Sequence, residues 1–565
     1  MLTRRLFTAT ALSSGVLGLA GCFGQPPRPA MFDLGDAAVD AHMHLFNGRD
    51  VPARGFLLQV VFRDMAGSLP GGLLQPLADL IVGFLLAGTR TAGQELADRR
   101  PAAPVDDQAL LARAIDDYYG QARTQAQTMV ARRSVRAGGD VAAGSAIPLR
   151  QPDLILLEEM SKAAGVPVGQ AAAGIPASGT GDGPAISRNA ARRAVTAPSI
   201  GQQLAPGLLN PDRKTVDAQS LNLAGVLQWA TLMTQDRADI WGRAVSLYGK
   251  PREARIFCNY LVDMAMWLQP AEPFQTSRMI DQISLAQQLS RNQPEVLVLN
   301  FVPFCPLRAA IEGPAVLQQV QRAVLDHGFA GVKLYPSMGF RPDDNSAISL
   351  AYASDRVRRD PPPRRALDQA LAALYRWCED QDVPIATHAS HSFGAGPGTE
   401  AYSAPWLWAP VLADHPALRV NLAHFGGFGA HNPQHWQDEL GEMMASGAQL
   451  FFDTGYWIEA ARDGTGELLA RSRAFLARFP QAERLMMYGS DWHMIAREPD
   501  HTAYHGGMRD FVTALAGGDR TKSRAMMGGN ALRWLGLDRP DGASFRRLQR
   551  HHGRHPVWRD LFAAA

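Results

Sequence analysis

The stretch Val39-Asp40-Ala41-His42-Met43-His44-Leu45-Phe46 sets two imidazoles one residue apart inside an apolar run. On a strand, residues i and i+2 project to one face, so His42 and His44 can reach a single ion together. Four later apolar runs carry a further reactive group at or near their ends: Lys333 in GVKLYP, His388 in VPIATHAS, His424 in RVNLAHFGG and Asp491 in RLMMYGSDWH. A lone buried histidine is ordinarily a hydrogen-bonded core residue. Imidazoles, a carboxylate and an amine recurring at run ends in this order are hard to explain as core, and imidazole with carboxylate is a donor combination that a divalent metal accepts. Such an ion lowers the pKa of water or polarises a carbonyl oxygen, which is the chemistry of hydrolysis.

The elements that must position these groups can be read from the same runs. Eight short apolar stretches, 37–46, 254–264, 295–304, 331–336, 383–390, 419–427, 448–455 and 484–493, end in polar or glycine-containing turns. Helical spacing of apolar residues appears between them at 313–327, 366–382 and 434–446. Eight strands alternating with helices predict an α/β fold, a (β/α)8 TIM barrel, with the reactive groups at the C-terminal mouth. Residues 49–249 interrupt the rhythm as a large, mainly helical insertion after the first strand, with helical pieces at 106–133 and 220–249. Because it leaves the mouth end of that strand, it is placed to be a lid. Within it, the Gly/Ala/Ser/Pro-rich stretch 164–210 reads as irregular, and 71–88 as a buried helix pair rather than a membrane surface.

Composition excludes one large class of function. The 565 residues are 46% hydrophobic and 19% charged, and 56 basic against 54 acidic residues leave a net charge of +2. With no dense basic cluster in the interior, a nucleic-acid partner is not expected. The four cysteines, Cys22, Cys258, Cys305 and Cys378, lie at wide, irregular spacing that fits neither a disulfide framework nor a CxxC zinc site. The three interior ones are expected to be buried as small apolar side chains.

The first 22 residues read as an address. Arg4 and Arg5 precede an apolar segment that ends in Leu19-Ala20-Gly21-Cys22. The order T-R-R-L-F resembles a Tat signal and L-A-G-C resembles a lipobox. The resemblance implies export of the folded chain by the Tat machinery and a lipid anchor on Cys22 at the periplasmic side of a bacterial membrane. Residues 23–35 would be a tether.

The ordered series D-A-H-M-H, G-V-K-L-Y-P, A-T-H, L-A-H-F-G-G, Y-G-S-D-W and M-M-G-G-N-A-L-R-W-L-G-L resembles the amidohydrolase superfamily, specifically its amidohydrolase-2 branch. The resemblance covers 36–48 and 250–540, leaving the insertion at 49–249 and a C-terminal extension at 541–565 outside it. It implies a barrel in which His42, His44, His388 and Asp491 hold one divalent metal, zinc first by donor type. Asp491 would move the proton of the attacking water, and His424 would act beside it as acid, base or electrophile. In binuclear relatives a carboxylated lysine at the end of the fourth strand bridges two ions, and Lys333 and His424 stand where that arrangement needs them. Our reading takes one ion, which leaves Lys333 to serve the substrate or simply the strand.

Around this set, His391 in the glycine-rich loop after the fifth run, Arg341 past the fourth and His493 beside Asp491 are candidates for touching substrate. Asp40, two residues before His42, is expected to face inward and support a ligand histidine. The expected activity is metal-dependent hydrolysis of an amide, lactone or ester carbonyl in a small molecule. Metal-dependent non-oxidative decarboxylation is the alternative, and a non-catalytic surface lipoprotein a more distant one.

Overall fold

A computed structural model of the chain describes residues 34–61, 89–98, 223–248, 253–268, 277–392, 394–426, 435–462, 466–498 and 500–562, with isolated positions between 78 and 85, 108 and 116, and 161 and 204. The signal at 1–22, Cys22, nearly all of the tether, and most of the 71–88, 106–133 and 164–210 segments lie outside the described residues.

Eight strands form one parallel sheet in the order of the sequence. They are β1 (Ala38–Met43), β2 (Ala254–Tyr260), β3 (Leu297–Pro303), β4 (Gly331–Leu334), β5 (Ile385–His388), β6 (Val420–Ala423), β7 (Leu450–Asp453) and β8 (Met486–Met487). Each falls inside one of the runs predicted above. The seam between β8 and β1 closes the barrel: Ala41 N donates to Tyr488 O at 2.9 Å, Asp491 N donates to His42 O at 2.7 Å, and Met43 bridges Trp492 in parallel.

The runs were legible because a barrel strand is buried on both faces, one by the interior and one by the helices. On β2, Ile256, Cys258 and Tyr260 join the barrel interior while Phe257 joins the surrounding layer; on β3, Leu297, Leu299 and Phe301 alternate with Val298 and Val302 in the same way. Cys258, Cys305 and Cys378 are free thiols buried in these layers, as their spacing suggested.

The insertion contributes α1 (Leu223–Met233) and α2 (Arg237–Ser246). The helices α3 (Ala315–Leu325), α4 (Arg364–Asp380) and α5 (His435–Ala445) occupy the three stretches where helical spacing was read. On α4, Leu367, Leu371, Leu374, Tyr375 and Cys378 form the buried stripe against the sheet. Among the described residues, no helix is long and apolar enough to cross a membrane.

The described parts of the insertion are fastened to the barrel. Arg237 at the start of α2, buried with the insertion's own Asp50 and Glu95, reaches outside it by donating to Ser277 Oγ at 3.2 Å and Asn47 Oδ1 at 3.3 Å. Trp229 on α1 donates its indole N–H to His493 Nδ1 at 2.9 Å. The C-terminal extension is equally structural. From α6 (Ala543–His552) and α7 (Pro556–Leu561), Phe545, Leu548 and Trp558 join Val39 and Leu297 in the cluster inside the barrel. It plugs the end opposite the mouth.

Candidate active site at the barrel mouth

Register places the reactive groups together. His42 lies in β1 and His44 just past it, Lys333 lies in β4, His388 ends β5, His424 follows β6, and Asp491 follows β8. All six are buried, with Lys333 and His42 0% exposed. His424 and Asp491 hold left-handed backbone, with φ of 66° and 55°, a conformation uncommon for non-glycine residues and concentrated at functional sites.

The histidines are oriented from behind. His42 Nδ1 faces both oxygens of Asp453 at 3.1 and 3.2 Å, His44 Nδ1 donates to the Tyr260 carbonyl at 2.8 Å, and His424 Nδ1 donates to the Gly455 carbonyl at 2.9 Å. These partners only accept, so the proton of each neutral ring sits on Nδ1 and Nε2 carries the lone pair. Two of those Nε2 atoms meet one oxygen: His42 Nε2 lies 3.3 Å and His44 Nε2 3.4 Å from Asp491 Oδ1. Buried His42 Nε2 has no hydrogen-bond partner. His42, His424 and Asp491 offer donor atoms within 4.8 Å of one another, the spacing of groups that share an ion.

The other expected ligand, His388, is close by. Its ring lies 4.8 Å from that of His424 and stacks on Tyr335 at 5.8 Å, and its Nε2 is 3.2 Å from the Ser392 carbonyl. His424, expected beside the ion, stands in the tightest donor triple, whereas His44 and His388 stand next to it.

Burial pushes the imidazoles of His42, His388 and His424 below their ordinary range, which keeps them neutral at pH 7 as ligands must be. Burial alone would raise the Asp491 carboxyl, but His42, His44 and His424 outweigh it and hold it below the usual carboxylate range. Lys333 Nζ sits over the Tyr260 and Tyr335 rings at 4.5 and 4.8 Å without a hydrogen-bond partner. Burial brings its amine down to about 8, against the pull of Asp453 and Asp491.

Asp453 was not singled out in the sequence. It accepts from Asn421 Nδ2 at 2.7 Å, His424 N at 3.1 Å and Gly455 N at 2.9 Å as well as from His42. Burial works to raise its carboxyl, and His42, then His424 and Asn421, hold it well below the ordinary range. The available signal was a lone carboxylate two residues before the end of the seventh run, where β7 ends.

Asp40 departs from its expected placement. The β1–β2 register shifts between Asp40 and Met43, so the simple parity that placed Asp40 on the face of His42 does not hold. Its carboxylate accepts from Ser490 Oγ at 2.6 Å, Ser490 N at 2.9 Å, Tyr248 Oη at 2.5 Å and the backbone N–H of His42 at 3.1 Å. It braces the seam between β1 and β8 rather than a ligand ring.

The open pocket above the site, about 410 Å³ of empty space counted out into the solvent at its mouth, has His44, His388, His424 and Asp491 among its lining residues. None of the three candidate substrate contacts lines it. His493 is 0% exposed, accepting from Trp229 at Nδ1 and facing the Phe46 carbonyl from Nε2 at 3.1 Å; Nδ1 ties the insertion to the mouth and Nε2 ties the loops after β1 and β8 together. Arg341 turns into its own loop, 3.3 Å from the Asp344 carbonyl. His391 packs edge-on against Trp436 at 5.6 Å.

Comparison with known proteins bears on part of the chain. No curated protein matches it. Among solved structures, an uncharacterized TIM-barrel protein from Bordetella bronchiseptica is similar at 15% identity, covering 53% of this chain and 83% of that one with a TM-score of 0.35. A protein described as a candidate metal-dependent hydrolase from Lactobacillus casei is similar at 12% identity, covering 68% and 91% with a TM-score of 0.33. The barrel assignment rests on the strand order above rather than on these likenesses. Residues 301–537 match the family described as Amidohydrolase, a span that runs from β3 through β8 and includes Lys333, His388, His424 and Asp491.

Proposed function

We propose that the protein is a metal-dependent hydrolase of the amidohydrolase type, activating water for attack on the amide, lactone or ester carbonyl of a small molecule. The observation that carries this reading is the commitment of Nδ1 on His42, His44 and His424 to acceptors, which leaves three unprotonated Nε2 atoms beside the Asp491 carboxylate. Such outer hydrogen bonds fix ligand tautomers in metal sites. The orphaned, buried His42 Nε2 fits the same arrangement.

His42, His44 and Asp491, with His424 or His388 completing the set, would hold one divalent ion, zinc first by donor type. Bound there, the ion would supply Lewis acidity toward water and a carbonyl oxygen. Asp491, kept ionised, takes the proton from the attacking water and returns it to the leaving group. Tyr335, whose hydroxyl lies 3.1 Å from His44 Nε2, provides a further donor at the edge of the site. A two-ion site would require Lys333 to be carboxylated.

Metal analysis and intact mass of the purified protein test the ion count. One ion per chain and an unmodified mass are expected; two ions with the mass of added CO2 on Lys333 would overturn the one-ion reading. Assay against amides, lactones, esters and aromatic carboxylates tests the chemistry. Solvent oxygen appearing in the product is expected, and carbon dioxide release without it would replace hydrolysis by decarboxylation.

We also propose export with a lipid anchor on Cys22. Cys22→Ser should move the protein from the membrane to the soluble periplasmic fraction; a wild-type protein already soluble there overturns the anchor.

A further inference from the structure

The walls of the cavity differ in chemistry from its floor. Above the histidines and Asp491 stand Phe46, Phe56, Met264, Met338 and Met494. Phe46 comes from the loop after β1, Phe56 from the start of the insertion, and the three methionines from the loops after β2, β4 and β8. Phe46 meets Phe56 edge-to-face at 6.5 Å and His44 at 5.7 Å, so the apolar wall abuts the reactive floor. Thioethers are flexible and polarizable, and they pack against aromatic or aliphatic groups of varied shape.

Among the described residues, Asp491 is the only Asp, Glu, Lys or Arg side chain that lines the cavity. The nearest cation, Lys333, is 0% exposed beneath the tyrosine rings and does not line the space. Arg341, the cation placed by sequence to meet a substrate carboxylate, is engaged with its own loop. An anionic group lodged against the phenylalanine and methionine walls, away from the ion proposed for the floor, would therefore lose water without gaining a counter-charge from the described residues, a cost of several kcal/mol by general experience.

We infer that the site takes a neutral, apolar substrate: one reacting carbonyl carried on an uncharged aromatic or hydrocarbon group that fills the wall of Phe46, Phe56, Met264, Met338 and Met494. This inference rests on the reading of the same cavity as a carbonyl-directed active site. It goes further by assigning the part of the substrate that does not react.

Two ketones that cannot be hydrolysed test it by isothermal titration of the purified full-length protein. Acetophenone and 4-acetylbenzenesulfonate present the same carbonyl and ring, and differ by one remote sulfonate, an anion that ligates divalent ions only weakly. Acetophenone should bind at least roughly tenfold more tightly. Equal or tighter binding of 4-acetylbenzenesulfonate, or no binding of acetophenone, overturns the inference. Phe56→Ala, with its fold checked by near-ultraviolet circular dichroism, should weaken acetophenone several-fold; an unchanged affinity in the folded variant also overturns it. Turnover does not enter these measurements. If acetophenone is preferred while no uncharged ester, lactone or amide is hydrolysed, the hydrolytic reading fails and the binding class stands.

Discussion

Asp453 presents both carboxylate oxygens to Nδ1 of His42, at 3.1 and 3.2 Å, although the two residues lie in strands separated by β8. The contact fixes the His42 proton on Nδ1 and turns Nε2 toward Asp491. Because Asp453 also receives the His424 and Gly455 amides, one carboxylate sets the orientation of two candidate ligands. Asp453→Asn keeps the shape and removes the charge. Ion affinity should fall on the order of 10–100-fold, the usual loss when such a support is removed. Competition with a chromogenic chelator measures it, and unchanged affinity would leave Asp453 as a barrel residue only.

Gly455 marks how little space that arrangement leaves. A Cβ there would lie 2.8 Å from His42 Nδ1 and 3.0 Å from Asp453 Oδ1, closer than side-chain carbons normally approach. Gly455→Ala must therefore push His42 or Asp453 away from the other. We expect a substoichiometric ion content after purification, with a thermal midpoint in added metal that stays within a few degrees of the wild type. Full ion occupancy in the variant would show that the His42–Asp453 contact is dispensable.

The difference between what could and could not be read in the sequence follows from distance along the chain. Eight strands were visible because each is a short, continuous apolar run, and His42, His388 and Asp491 stood out as polar residues at the ends of such runs. Asp453 stands near the end of a run too, yet its role depends on Asn421 and His42, which only barrel closure brings near. Asp40 was misplaced because strand parity assumes an unbroken register, and β1 shifts register at that residue. His493 looked like a pocket residue because its partner, Trp229, lies in the insertion 264 positions away. Local pattern identifies elements; contacts between an insertion and a loop leave no local pattern.

The Arg237 cluster bears on whether the insertion is a lid. Arg237 is 4% exposed and joins Asp50 and Glu95, with Asn47 and Ser277 completing its hydrogen bonds. Removing the cation would leave two carboxylates buried without a counter-charge. Arg237→Met should destabilise the protein by about 3–5 kcal/mol, measured by urea unfolding at pH 7.5. Replacing Arg237 together with Asp50 and Glu95 by apolar residues should restore much of that loss. A single substitution costing under about 1 kcal/mol would mean that the Arg237 cluster does not hold the described parts of the insertion together.

At the opposite end, His552 makes the plug of α6 sensitive to acid. Its Nε2 donates to the Gly328 carbonyl at 2.9 Å, and burial lowers its imidazole from the ordinary 6.5 to about 4. The unfolded chain therefore takes up this proton at a higher pH than the folded one. Stability from the neutral ring is complete above pH 6.5 and is lost as pH falls from about 6.5 toward 4. At pH 5 the loss from this one residue should be about 1–2 kcal/mol. His552→Gln keeps an N–H donor for Gly328 and cannot titrate. In urea unfolding at pH 7.5 and pH 5, the variant should lose less stability than the wild type, and the difference between them is the contribution of His552. Parallel losses in the two proteins would show that the ring is neutral for no energetic reason and that acid acts through other groups.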